Sequence, residues 1–192
     1  MPHRKGTTSL LTILIAAIVF IFYFAQAWFQ PTQPPTPQPP ANGSTASGNS
    51  TGTISQRTKT SGCVSINALP DAQCTPGAIF PNATVDKICQ PGYSSGVRDV
   101  PTSEKNDVYA EYGITSHAPG QYEVDHLISL ELGGSNDIAN LWPEPADPRP
   151  GFHEKDKVEN YLHDQVCAGK MPLQDAQYQI ATNWLAIYQT LP

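Results

Sequence analysis

From Leu10 to Phe29 the chain is uncharged and almost wholly apolar (LLTILIAAIVFIFYFAQAWF). A run of that length at ~1.5 Å rise per residue predicts a helix of ~30 Å, the thickness of a bilayer hydrocarbon core. Arg4 and Lys5 precede the run and no base follows it until Arg57, which predicts that the following chain lies outside the cytoplasm. Two readings stay open: a signal peptide cut after Ala25-Gln26-Ala27, or a retained anchor with Trp28 at the outer interface. Residues 30–62 then turn Pro-rich and, further on, Gly/Ser/Thr/Asn-rich. They carry too few apolar side chains to offset the entropy of ordering them. The predicted organisation is a span over 1–29, a tether over 30–62 and a domain over 63–192.

Within the domain, residues 63–101 are irregular and rich in turn signals such as Thr75-Pro76-Gly77 and Gln90-Pro91-Gly92. Thr102 or Ser103 can cap a short helix that Gly113 ends, with Val108, Tyr109 and Tyr112 on one face. The alternation of Tyr122-Glu123-Val124-Asp125-His126 predicts a strand. A loop through Gly133-Gly134 follows, then a short return at Asn140-Leu141-Trp142. The four prolines between Pro143 and Gly151 predict an extended connection. Two helices close the chain: His153–Cys167, with Val158, Tyr161, Leu162 and Val166 at helical spacing, and Leu173–Gln189, with Leu173, Ala176, Ile180, Trp184 and Tyr188. The expected fold class is α+β, a small hairpin and helix set among other helices.

Charge is divided unevenly. Residues 71–192 hold all 17 acidic residues against 7 of the 11 basic ones, a net of −10. That balance excludes a protein that coats nucleic acid, because such affinity comes from Lys and Arg neutralising phosphates. The even set Cys63, Cys74, Cys89 and Cys167 lies beyond the export signal. Disulfides are therefore expected in preference to zinc, for which no C-x-x-C spacing exists. All three pairings stay open; one that reaches Cys167 would tie the start of the domain to its C-terminal helices.

The candidate chemistry lies between Glu123 and Lys157 (EVDHLISLELGGSNDIANLWPEPADPRPGFHEKDK). Phosphodiester hydrolysis needs a base near neutrality and an electrophile for the phosphoryl oxygens. Histidine supplies the first, and a divalent cation on one carboxylate and one imidazole supplies the second. Neighbours on a regular strand point to opposite faces. Asp125 and His126 can therefore address one phosphate only if the strand ends or bulges there. Arg98, Arg149, Lys155 and Lys157 could form a local basic patch. Lys155 and Lys157 diverge by ~200° on a helix, so at most one faces the site. Glu123, Glu131 and Glu144 are reserve carboxylates, while His117 and His163 are read as structural.

The order Asp-His, Gly-Gly, Asn-Leu and helix-borne His resembles the HNH endonuclease family and its ββα-metal site, over about residues 72–190. The resemblance implies Asp125 and His153 as metal ligands, His126 as general base and Asn140 as the structural asparagine. It further implies Mg²⁺, or Mn²⁺ or Zn²⁺, as the ion, and weak, low-specificity cleavage of DNA or RNA. Two features depart from the family: the interval from Asn140 to His153 is long and proline-rich, and paired zinc knuckles are absent. The rival expectation is a non-catalytic extracytoplasmic binding module with a degenerate site of this kind. A third is metal-dependent hydrolysis of another phosphate ester.

Overall fold

The structure, a computed structural model, describes residues 52–191. The expected span and most of the tether lie outside the described residues. Among the described residues no helix is long and apolar enough to cross a membrane. Elements run β1 (Gly52–Thr53), β2 (Ala78–Ile79), α1 (Val85–Ile88), α2 (Tyr93–Val97), α3 (Thr102–Glu111), β3 (Tyr122–His126), β4 (Leu141–Pro145), α4 (Phe152–Cys167) and α5 (Leu173–Tyr188). This is the α+β class expected from the pattern. The tether, however, joins the domain earlier than expected. β1 pairs antiparallel with β2, and the Thr58 and Lys59 amides both donate to Gln73 O. Lys59 also pairs with Asp71 at 2.8 Å.

The main core is made by the stripes that periodicity predicts. Val158, Leu162 and Val166 of α4 meet Ala176, Ile180 and Trp184 of α5, and Ile88, Ile128 and Leu132 complete the cluster. Helix α5 breaks at Asn183, whose side-chain oxygen takes the Ala186 amide and caps the second segment. A smaller cluster, Val108, Val124 and Leu141, joins α3 to the hairpin.

The hairpin is longer than expected on its return side, because Pro143 and Pro145 belong to β4 and face Val124 and Tyr122. The Ala146 amide donates to Gln121 O. By the alternation of an antiparallel ladder, the even-numbered β4 amides point at β3 and positions 143 and 145 point away. Proline thus removes no ladder bond there. Register is unbroken from Tyr122↔Pro145 to His126↔Leu141, so the bulge that would turn Asp125 and His126 to one face is absent.

Gly133 and Gly134 are needed for distinct reasons. Gly133 takes a φ of +77°, where residues with a Cβ are strained. A Cβ on Gly134 would lie 1.7 Å from Ile128 O. That close approach lets β2 run along the loop, with Phe80 N donating to Gly133 O and Ser135 N to Ala78 O, each at 2.9 Å.

The disulfides are Cys63–Cys74 and Cys89–Cys167, closing sequence separations of 11 and 78. They indicate an oxidising, extracytoplasmic environment. In the chain-entropy account the longer loop is worth roughly 4.5 kcal/mol and the shorter roughly 2.8 kcal/mol. Replacing Cys89 and Cys167 together by Ala should therefore lower stability more than replacing Cys63 and Cys74. Urea denaturation of the two double variants checks the order; equal losses would show that the long loop is already constrained in the unfolded chain.

Candidate functional site

Strand β3 sends its last two side chains to different places. Asp125 turns toward α4, where Lys155 Nζ donates to its Oδ2 at 2.7 Å. His126 turns the other way and is 2 % exposed. Its Nε2 lies 3.1 Å from Asn136 Oδ1, and the Asn136 amide nitrogen donates to Val97 O at 2.7 Å. The loop and the end of α2 together cover the imidazole, and its buried Nδ1 has no partner. Burial, outweighing the pull of Asp125, lowers the His126 pKa to about 4.

Lys155 is the centre of the cluster on the α4 side. Its side chain has no exposed area, and the ammonium also donates to His126 O at 2.8 Å and to Glu159 one turn along the helix. Glu144, reached from β4, places Oε2 3.9 Å from the same nitrogen and is itself wholly buried. Neither Glu144 oxygen receives a hydrogen bond; Asp125 is the neighbour with which a proton on Glu144 can be shared.

Protonation follows from this crowding. Burial opposes the charge on Asp125, but the adjacent ammonium holds its carboxyl below the usual range. Burial also opposes the charge on Lys155, yet Asp125, Glu159 and Glu144 together raise its pKa. Burial, with the neighbouring carboxylates, raises Glu144 well above the usual range and pushes Glu159 up to about 8. The shifts run in the direction that brings the interior toward neutrality, with Glu144 and Glu159 favouring the protonated form beside the Lys155–Asp125 pair.

Asn140 sits where the sequence places it, as a cross-link. Its Oδ1 accepts the Ile128 amide at 2.9 Å, while Nδ2 donates to Ile128 O at 3.0 Å and Ser135 O at 2.9 Å. The residue is wholly buried and closes the loop between β3 and β4. His153, by contrast, is exposed at the start of α4 with its ring against Phe152. It stands ~200° around the helix from Lys155, so the face α4 turns to Asp125 carries the lysine and not the histidine.

These placements fail the fit to a divalent ion on Asp125 and His153. The inner oxygen of Asp125 is held by a buried ammonium, and the imidazole lies on another face. Among the described residues, the grouping of three ligand atoms within reach of one ion is Cys89, His163 and Cys167, whose thiols are joined in the disulfide. Of the reserve carboxylates, Glu144 enters the cluster, while Glu123 stays exposed on β3. Glu159 and Asn136 were not singled out from the sequence. Lys155 was noted only as a phosphate contact, although it extends the buried stripe 155, 158, 162, 166 by one helical step. The chain matches no protein-family profile, no curated protein and no solved structure.

Two expectations follow. Asn140→Ala strips these three buried hydrogen bonds at once and should cost about 3 kcal/mol in denaturant unfolding; a loss below about 1 kcal/mol would show that water replaces the amide. In the unfolded chain His126 takes a proton near pH 6.5; in the fold it stays neutral to about 4. Stability should therefore fall as pH drops from about 6.5 to 4, by up to about 3 kcal/mol from this group. Urea curves for wild type and His126→Gln across that window test this, because the substitution should flatten the acid limb.

Proposed function

We propose that the domain is a non-catalytic binding module, displayed outside the cytoplasm on the N-terminal tether and built on an HNH-like hairpin and helix. The observation that carries this reading is Lys155, fully buried with its ammonium on Asp125. The carboxylate that would hold a catalytic ion is engaged by a fixed cation, and the imidazole that would activate water is sealed under Asn136. A general base must reach the proton it removes, directly or through one water, and His126 is only 2 % exposed.

The recognition surface supported by the geometry is a cleft of about 570 Å³ between α3 and the loop that follows it. Asn106, Thr115 and Ser116 line it beside Tyr109 and His117, whose ring centroids are 4.5 Å apart. Aromatic faces next to amide and hydroxyl groups suit a polyhydroxylated ligand such as a saccharide, and the size lies within the range of small-ligand sites.

The test is a supercoiled-plasmid assay with the disulfide-bonded chain in Mg²⁺, Mn²⁺, Zn²⁺ or EDTA. The expected result is no nicking beyond that of the His126→Ala protein. Metal-dependent nicking by the wild type that disappears in His126→Ala would replace the binding reading with that of a nuclease. In a parallel NMR titration with short envelope-type saccharides, Tyr109 and His117 should shift before other rings; shifts confined elsewhere would remove the cleft from the proposal.

A further inference from the structure

The two disulfides sit in unlike surroundings. Cys63 and Cys74 are 4 % and 0 % exposed, so a reagent in solution must open the fold to reach their sulfurs. Cys89, which follows α1, is half-buried, and Cys167, the last residue of α4, is exposed. Their bond is therefore within reach of a reagent in the folded protein. Its contribution to stability does not shield it. The entropy of the loop it closes belongs to the unfolded chain, whereas exchange in the folded protein depends on access and on the sulfur that must leave.

His163 supplies a second, independent observation. It lies one turn before Cys167 on α4, with Nε2 3.1 Å from Ile88 O and 3.4 Å from Cys167 Sγ. A carbonyl oxygen only accepts, which assigns a hydrogen to Nε2. An N–H is thus held beside the Cys167 sulfur before any charge forms there. The placement matters because the C-terminal end of a helix carries partial negative charge and by itself opposes a thiolate.

We propose that Cys89–Cys167 is a thiol-exchange site that dithiols open in the folded protein, with Cys167 as the departing sulfur and His163 as the hydrogen-bond donor that receives its charge. First, a thiolate of the dithiol attacks Cys89 Sγ. A new S–S bond forms, the Cys89–Cys167 bond breaks, and its electron pair leaves on Cys167 Sγ beside the His163 N–H. Next, the second thiolate of the reagent attacks the reagent sulfur joined to Cys89, expels Cys89 as a thiolate and closes the reagent into a cyclic disulfide. The dithiol is oxidised by two electrons, the protein disulfide is reduced by two, and the two thiol protons pass to the protein sulfurs. Neither Lys155, His126 nor the cleft takes part, so the proposal stands or falls apart from the proposed function.

The experiment treats the oxidised full chain with dithiothreitol at pH 7 without denaturant, alkylates samples over time and locates the modified cysteines by peptide mass. Cys89 and Cys167 should become alkylated roughly tenfold faster than Cys63 and Cys74, and in urea that difference should vanish. Glutathione, a monothiol, should be trapped on Cys89. His163→Leu should slow the opening about fivefold, the effect of losing one neutral hydrogen bond. His163→Gln, whose amide carries an N–H to the same place, should keep most of the rate.

Opening of Cys63–Cys74 first, or of both bonds together, in the folded wild type would overturn the site. Selectivity that persists in urea would show that the fold does not create it. A glutathione adduct on Cys167 would make Cys89 the departing sulfur and overturn the assignment. An unchanged rate in His163→Leu, or equal slowing in both variants, would remove His163 as the donor. The order of opening and the position of the adduct need only the wild type, so they decide the proposal even where a variant fails to fold.

Discussion

A lysine ammonium buried among carboxyl groups sets the terms for the rest of the domain. Withdrawing such a charge from water costs several kcal/mol, and its partners return that only when they are closely placed. Lys155 meets the requirement by drawing on three elements at once. The consequence is directional. Helix α4 can lie against the hairpin only in the rotation that aims position 155 at Asp125, and that rotation also turns Val158, Leu162 and Val166 onto α5. The ion cluster and the apolar core therefore select the same packing. Burial and the neighbouring carboxylates push Glu144 and Glu159 toward the protonated form, which relieves the surplus of negative charge.

The loop between β3 and β4 solves a different problem: how to bury backbone without a strand to pair it. Asn140 serves as that missing partner for Ile128 and Ser135. Gly134 lets the Ile128 carbonyl approach to a distance that any side chain would forbid. Asn136 then closes the far side by linking His126 to Val97. A histidine held this way is kept neutral by burial, which outweighs the attraction of Asp125.

Much of this was legible in the chain. β3, α3, α4 and α5 announce themselves by alternation or by a helical stripe, while a structural role for Asn140 is implied only by the resemblance. The one-turn helices α1 and α2 were not legible, because each is no longer than a turn or so of the period that would reveal it and is held by the Cys89 disulfide and the core. β4 was cut short at Trp142 because proline reads as a break. Whether it breaks a ladder depends on which amides face the partner, and a single strand does not disclose that. The sequence points to His153 as a metal ligand and to Lys155 only as part of a basic patch, and a helix cannot present both positions to one point. The decision rested with the apolar stripe: position 155 continues it and position 153 does not.

That choice also revises the electrostatic argument about nucleic acid. The basic patch expected near the site comprised Arg98, Arg149, Lys155 and Lys157. Lys155 is withdrawn into the interior. Lys157, on the other side of α4, lies over the Tyr188 ring at 5.9 Å from its centroid. Arg149 approaches Glu154 to 3.9 Å, and Arg98 remains exposed beside the covered His126. Bases spread over separate faces of an acidic domain do not sum to a phosphate-binding surface, because screening at physiological salt limits each to about 8 Å. The acidic balance and the buried lysine thus lead to one conclusion by independent routes. The bases of the described domain do not combine into a surface that would hold a polyanion.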